Sequence, residues 1–68
     1  MGVYENIMEI CKMRKIPISR LERSAGISNG AIGHWRFGTP RLSNLMKVAK
    51  ALDVPVETLL YGYSGEKK

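Results

Sequence analysis

Prolines and glycines distributed along the chain most strongly constrain what it can fold into. Pro17, Gly26, Gly38, Pro40 and Pro55 mark boundaries, because proline does not continue a helix that precedes it and glycine readily takes the positive φ that ends one. Between these breakers, apolar residues recur at spacings of three and four, and no stretch shows the period-two alternation of a half-buried strand. The sequence therefore predicts an all-α protein of five short helices.

The first helix is predicted over about residues 4–15, and the second ends at about Ala25, just before Gly26. The start of the second helix has two interpretations. Ser19 and Glu22 form a capping-box pattern, whereas Pro17 could equally open the helix in its first turn. The inner side of the first helix carries Val3, Ile7, Ile10, Cys11 and Arg14.

The third helix is predicted over residues 28–37, with Ser28 as its N-cap. At 100° per residue, one face carries Ser28, Ala31, Ile32 and Trp35 and should pack on the core. The opposite face has two glycines at its middle, which predicts close approach of the helix backbone to a partner. This face carries Asn29, Gly30, Gly33, His34, Arg36 and Phe37.

The fourth helix is predicted to follow a Thr39 cap and a first-turn Pro40, and the fifth to span about residues 55–60. The core side of the fourth helix should carry Leu42, Leu45, Ala49 and Leu52, and that of the fifth Val56, Leu59 and Leu60. Residues 1–62 are expected to form the domain and residues 63–68 a flexible tail.

Composition excludes several classes of protein. The 68 residues are 44% apolar and 25% charged, which is typical of one small folded domain without room for a deep catalytic cleft. The sequence contains no apolar run long enough to span a membrane, so a cytoplasmic location is expected. The single cysteine, Cys11, excludes an internal disulfide and a cysteine-rich zinc site.

Positive charge is concentrated in the middle of the chain. Residues 12–50 contain nine basic residues and one acidic residue, a net charge of +8, whereas the whole chain carries +5. A basic field inside a folded domain predicts a polyanionic partner.

Residues 21–35, which run from Leu21 through Gly26 and Ile32 to Trp35, resemble the helix-turn-helix of the phage repressor and Cro-like (Xre-type) family. The resemblance extends over about residues 4–61 and is greatest to repressors of phages from low-GC Gram-positive bacteria. It implies a compact five-helix, lambda-repressor-like fold with the helix-turn-helix at helices 2 and 3. The implied partner is double-stranded DNA, bound as an inverted repeat by a homodimer whose third helix lies in the major groove.

The resemblance, the exposed face of the third helix and the basic charges together suggest roles for individual residues. The positions expected to contact bases are Asn29, Gly30, Gly33 and His34. The positions expected to contact phosphates are Ser28, Arg20, Arg23, Arg36, Arg41 and Lys47. No catalytic residue, metal, cofactor or small-molecule substrate is expected.

Three positions depart from the family pattern. Ile18 replaces a polar residue that usually bonds a phosphate, and the loop at residues 38–40 is shorter than usual. Glu22 replaces a small alanine, and we expect its carboxylate to pair with Arg36 or another arginine, or else to cap its own helix.

Two interpretations of function follow. The first is a sequence-specific transcriptional regulator, most simply a repressor that occludes a promoter. The alternative is a protein-interaction module, such as an antitoxin or adaptor, whose basic helical face binds an acidic protein. The sequence does not favour an enzyme, because it offers no pairing of a nucleophile with a base.

Overall fold

A computed structural model describes residues 2–62. They form five helices: α1 (Val3–Arg14), α2 (Ile18–Ala25), α3 (Ala31–His34), α4 (Leu42–Leu52) and α5 (Val56–Tyr61). The predicted all-helical fold is confirmed for this part of the chain, which contains no strand. The tail predicted at residues 63–68 lies outside the described residues.

A single apolar core joins the helices. α2 packs on α4, α1 packs on α5, and α5 also packs on α4, while α3 contacts α2. The buried apolar side chains are Ile7, Ile10, Cys11, Leu21, Ile32, Leu45, Val48, Ala49, Leu52 and Leu59. Trp35, Val56 and Leu60 pack against this core while partly exposed, so the inner faces predicted for α1, α3 and α5 are largely confirmed.

Two side-chain contacts, one of them buried, join α1 to the last two helices. Asn6 is buried, and its Nδ2 donates a 2.7 Å hydrogen bond to the carbonyl oxygen of Leu59 on α5. The guanidinium of Arg14 donates to the carbonyl oxygen of Leu52, at the end of α4. Arg14 was predicted on the inner face of α1. That prediction is wrong, because the side chain is exposed, although its guanidinium reaches the end of α4.

The predicted helix starts are partly wrong. α2 begins directly after Pro17, whose carbonyl accepts the N–H groups of Arg20 and Leu21 at 3.1 Å, and the Ser19–Glu22 capping box does not form. α4 begins at Leu42 with Arg41 in the N-cap position and no side-chain cap. The predicted Thr39 cap and first-turn Pro40 therefore lie before the helix.

One predicted core residue of α4 is wrong. Leu42 is the first residue of α4 and is 62% exposed, so the packed face of the helix begins one turn later, at Leu45. Leu45, Ala49 and Leu52, predicted on the same face, are buried. None of the helices between residues 2 and 62 has the length and apolar run that crossing a bilayer requires.

Candidate nucleic-acid interface

The turn between α2 and α3 depends on two glycines with positive φ. Gly26 ends α2 at φ 76°, and its N–H donates to the carbonyl oxygen of Arg23. Gly30 stands directly before α3 at φ 90°. A residue with a Cβ is strained in this backbone conformation. These two positive-φ glycines let the chain turn sharply between the helices, so that α3 packs beside α2.

The third helix is much shorter than predicted. Only Ala31–His34 is α-helical, and the chain then continues to Phe37 in tighter turns, in which the N–H groups of Trp35, Arg36 and Phe37 bond to carbonyls three residues earlier. Ser28 is exposed and makes no side-chain cap. Both its predicted N-cap role and its predicted place on the core face are wrong. Asn29 and Gly30 consequently lie in the turn before the helix and not on its face.

Glu22 on α2 supplies the missing cap of α3. Its Oε1 accepts the N–H of Gly30 at 2.9 Å, and its Oε2 accepts the N–H of Ile32 at 3.0 Å. The side chain is only 2% exposed. The carboxylate therefore satisfies two backbone donors that a helix start leaves free. Neither predicted role of Glu22 occurs, because it pairs with no arginine and caps the next helix instead of its own.

The position of Glu22 in the sequence indicated that its carboxylate needs a partner, but it did not indicate which one. A glutamate at an inward position of α2, where a small residue is usual, has to find donors when it is buried. The helix that lacks a side-chain cap of its own begins at Ala31, nine residues further along the chain, so local capping patterns do not identify it.

All ten residues predicted to contact DNA are exposed in the described structure. Ser28, Asn29 and Gly30 lie in the turn before α3, while Gly33 and His34 lie on α3 itself. Arg20 and Arg23 lie on the neighbouring α2. Arg36 lies after α3, Arg41 at the start of α4, and Lys47 on the exposed side of α4.

Part of this exposed surface forms a groove of about 330 Å³. It is lined by Ser19, Glu22, Arg23, Ile27 and Asn29. It therefore brings together one predicted base-contacting residue and one predicted phosphate-contacting residue. Arg41 and Lys47 belong to a different helix and do not line it.

The exposed surface of α3 projects little from the helix backbone, because Gly33 has no side chain. A Cβ added at Gly33 would meet no atom within 4 Å, so no neighbouring group in the described structure requires glycine there. Glycine inside a helix costs about 1 kcal/mol relative to alanine. This local cost is consistent with use of Gly33 for close approach of a partner to the backbone.

Arg36 is held at one edge of this surface by aromatic rings. Its Nη2 donates a 3.1 Å hydrogen bond to the hydroxyl oxygen of Tyr4, and its guanidinium carbon lies 5.1 Å from the centre of the Tyr4 ring and 5.8 Å from that of Phe37. The hydrogen bond to Tyr4, with a smaller contribution from Glu5, raises the pKa of Arg36. The sequence analysis missed Tyr4, because nothing in the spacing places α1 beside the end of α3.

Other reactive side chains have structural roles or lack partners. Burial raises the pKa of the Cys11 thiol, against a smaller lowering by Arg14, so the buried thiol stays protonated and unreactive at neutral pH. Within residues 2–62, the His, Cys, Asp and Glu side chains form no group of three that could hold a metal ion.

We expect Glu22→Gln to destabilise the protein by about 1–3 kcal/mol, because the amide can accept only one of the two N–H groups and directs its own donors at the other. Urea unfolding followed by circular dichroism measures this loss. Glu9→Gln, a change at an exposed position of α1, is the matched control and should shift the free energy of unfolding by less than about 0.5 kcal/mol. Equal effects of the two changes would contradict the capping role.

Comparison with known proteins agrees with this geometry. A search of curated proteins and a search of solved structures each returned no match. The family model for the Cro/C1-type HTH DNA-binding domain matches residues 6–62, a range that includes α2, the glycine turn, α3 and both of the helices that follow. The chain therefore belongs to the Cro/C1-type helix-turn-helix family of DNA-binding domains.

Proposed function

We propose that this chain is a sequence-specific regulator of transcription that places α3 and the turn before it in the major groove of double-stranded DNA. The observation that carries the proposal is the exposed, low surface around Gly33, held in place by the buried carboxylate of Glu22. The net charge of +8 over residues 12–50 supports it, because phosphate neutralisation supplies much of the affinity for DNA.

The proposal gives different roles to the exposed residues. Asn29 and His34 read base edges, since an amide pairs with adenine N6 and N7 and an imidazole can donate to guanine. Gly30 and Gly33 allow the backbone to approach the bases. The proposed phosphate contacts are made by Ser28, Arg20, Arg23, Arg36, Arg41 and Lys47, all of which are exposed.

The regulator acts, in this proposal, as a homodimer on an inverted repeat and represses by occluding a promoter. Two copies related by a two-fold axis place their α3 segments in successive major grooves on one side of the duplex. The resemblance to repressors of phages from low-GC Gram-positive bacteria supports a phage-type repressor that acts in the cytoplasm. The proposed function needs no cofactor and includes no catalytic step.

Selection from a randomised duplex library at roughly physiological salt tests this function. We expect enrichment of an inverted repeat whose half-site centres lie about one helical turn apart. Asn29→Ala and His34→Ala should each weaken binding to the enriched duplex by about 1–3 kcal/mol and leave binding to a random duplex nearly unchanged. Lys50→Gln removes an exposed charge outside the proposed contacts and serves as the control.

Two results would contradict the proposal, one from that selection and one from a binding assay with an acidic protein. Salt-sensitive retention of every duplex without enrichment would leave only non-specific attraction to a polyanion. Binding to an acidic protein at fixed stoichiometry, without retention of DNA, would favour the interaction-module alternative.

Gly33→Ala should have opposite effects on stability and binding. Alanine at this helical position meets open space, so we expect the free energy of unfolding to rise by about 0.4–1 kcal/mol. The same methyl group would stand between the α3 backbone and the bases, and we expect about tenfold or greater loss of affinity for the enriched duplex. Thermal unfolding and fluorescence anisotropy measure the two effects, and unchanged affinity would refute close approach at Gly33.

A further inference from the structure

The Arg36 side chain contacts two aromatic residues of its own chain. The Tyr4 hydroxyl accepts one of its N–H groups at 3.1 Å, and the Tyr4 and Phe37 rings lie within 6 Å of its guanidinium carbon. A guanidinium near an aromatic face is attracted to the ring quadrupole. These contacts restrict a long side chain that on an open surface would sample many rotamers.

The restrained guanidinium keeps most of its donors. Arginine has five N–H donors in a planar fork, and the Tyr4 hydroxyl accepts from one nitrogen only. The remaining N–H groups can donate to two oxygens of a phosphate group, in the two-point geometry that arginine favours. The side chain is fully exposed to solvent, so a phosphate can reach these donors.

The position of Arg36 relative to Gly33 determines which phosphates it can reach. The N–H of Arg36 donates to the carbonyl oxygen of Gly33, and residues three apart in such a turn lie on the same side. Gly33 is the exposed glycine at which we propose that the duplex comes close. A backbone phosphate beside the major groove of the DNA would therefore face Arg36, which lies just after the end of α3.

We propose that Tyr4 is a positioning residue that holds the Arg36 guanidinium ready to bind a DNA backbone phosphate. The inference rests on the proposed function, which supplies the DNA. It adds a residue of α1 to an interface otherwise built from α2, α3 and α4. Tyr4 itself contributes order and not charge.

A double-mutant cycle tests this inference. Tyr4→Phe keeps the ring, which packs against the core, and removes the hydroxyl. We expect it to weaken binding to the library-enriched duplex by about three- to tenfold, because the guanidinium then has to be ordered during binding. The slope of log affinity against log salt should stay unchanged, since the charge remains. Arg36→Gln should reduce that slope by about one.

Coupling between the two changes separates positioning from a general structural effect. In the Arg36→Gln background, Tyr4→Phe should cause no further loss, and thermal unfolding should show that both single variants are folded. An equal loss from Tyr4→Phe in both backgrounds, or no loss in either, would overturn the inference while leaving the proposed function intact. Failure of the unmodified protein to bind any duplex would overturn both.

Discussion

The buried carboxylate of Glu22 is the contact on which the exposed surface depends. Its two oxygens bind the N–H groups of Gly30 and Ile32, and this fixes the start of a helix only four residues long. A helix of that length is not stable alone, because too few backbone bonds offset the cost of its nucleation. The position of α3 is therefore determined by α2, through Glu22 on one side and the burial of Ile32 on the other.

This arrangement explains which parts of the structure could be predicted from the sequence. The apolar core positions of α1 and α5 and the Gly26 turn follow from local spacing, and the structure confirms them, whereas Arg14 on the same side of α1 is exposed. The start and length of α3 do not, because its cap comes from a residue on another helix and not from the nearby Ser28. Leu42 has core spacing but is exposed as the first residue of α4. Exposure of the predicted DNA contacts agrees with their proposed roles, but spacing alone did not identify Tyr4.

The same features connect the fold to the proposed function. The chain belongs to the Cro/C1-type family of DNA-binding domains, and the proposed function gives a use to the costly glycine at position 33. Glu22 fixes the start of α3 through two hydrogen bonds to its backbone. Tyr4 contacts the Arg36 side chain just after the end of α3. In the proposed complex, both contacts would lower the entropy lost on binding, because they already restrict the groups that meet the duplex.

In the proposed function, the turn before α3 and the exposed side of α3 contact the duplex. Nuclear magnetic resonance titration of the isotopically labelled protein with the library-enriched duplex tests this most directly. We expect the largest changes in amide chemical shift at Asn29, Gly33 and His34, with smaller changes on α2 and at the start of α4. Changes centred on α5, with residues 28–34 unaffected, would contradict it.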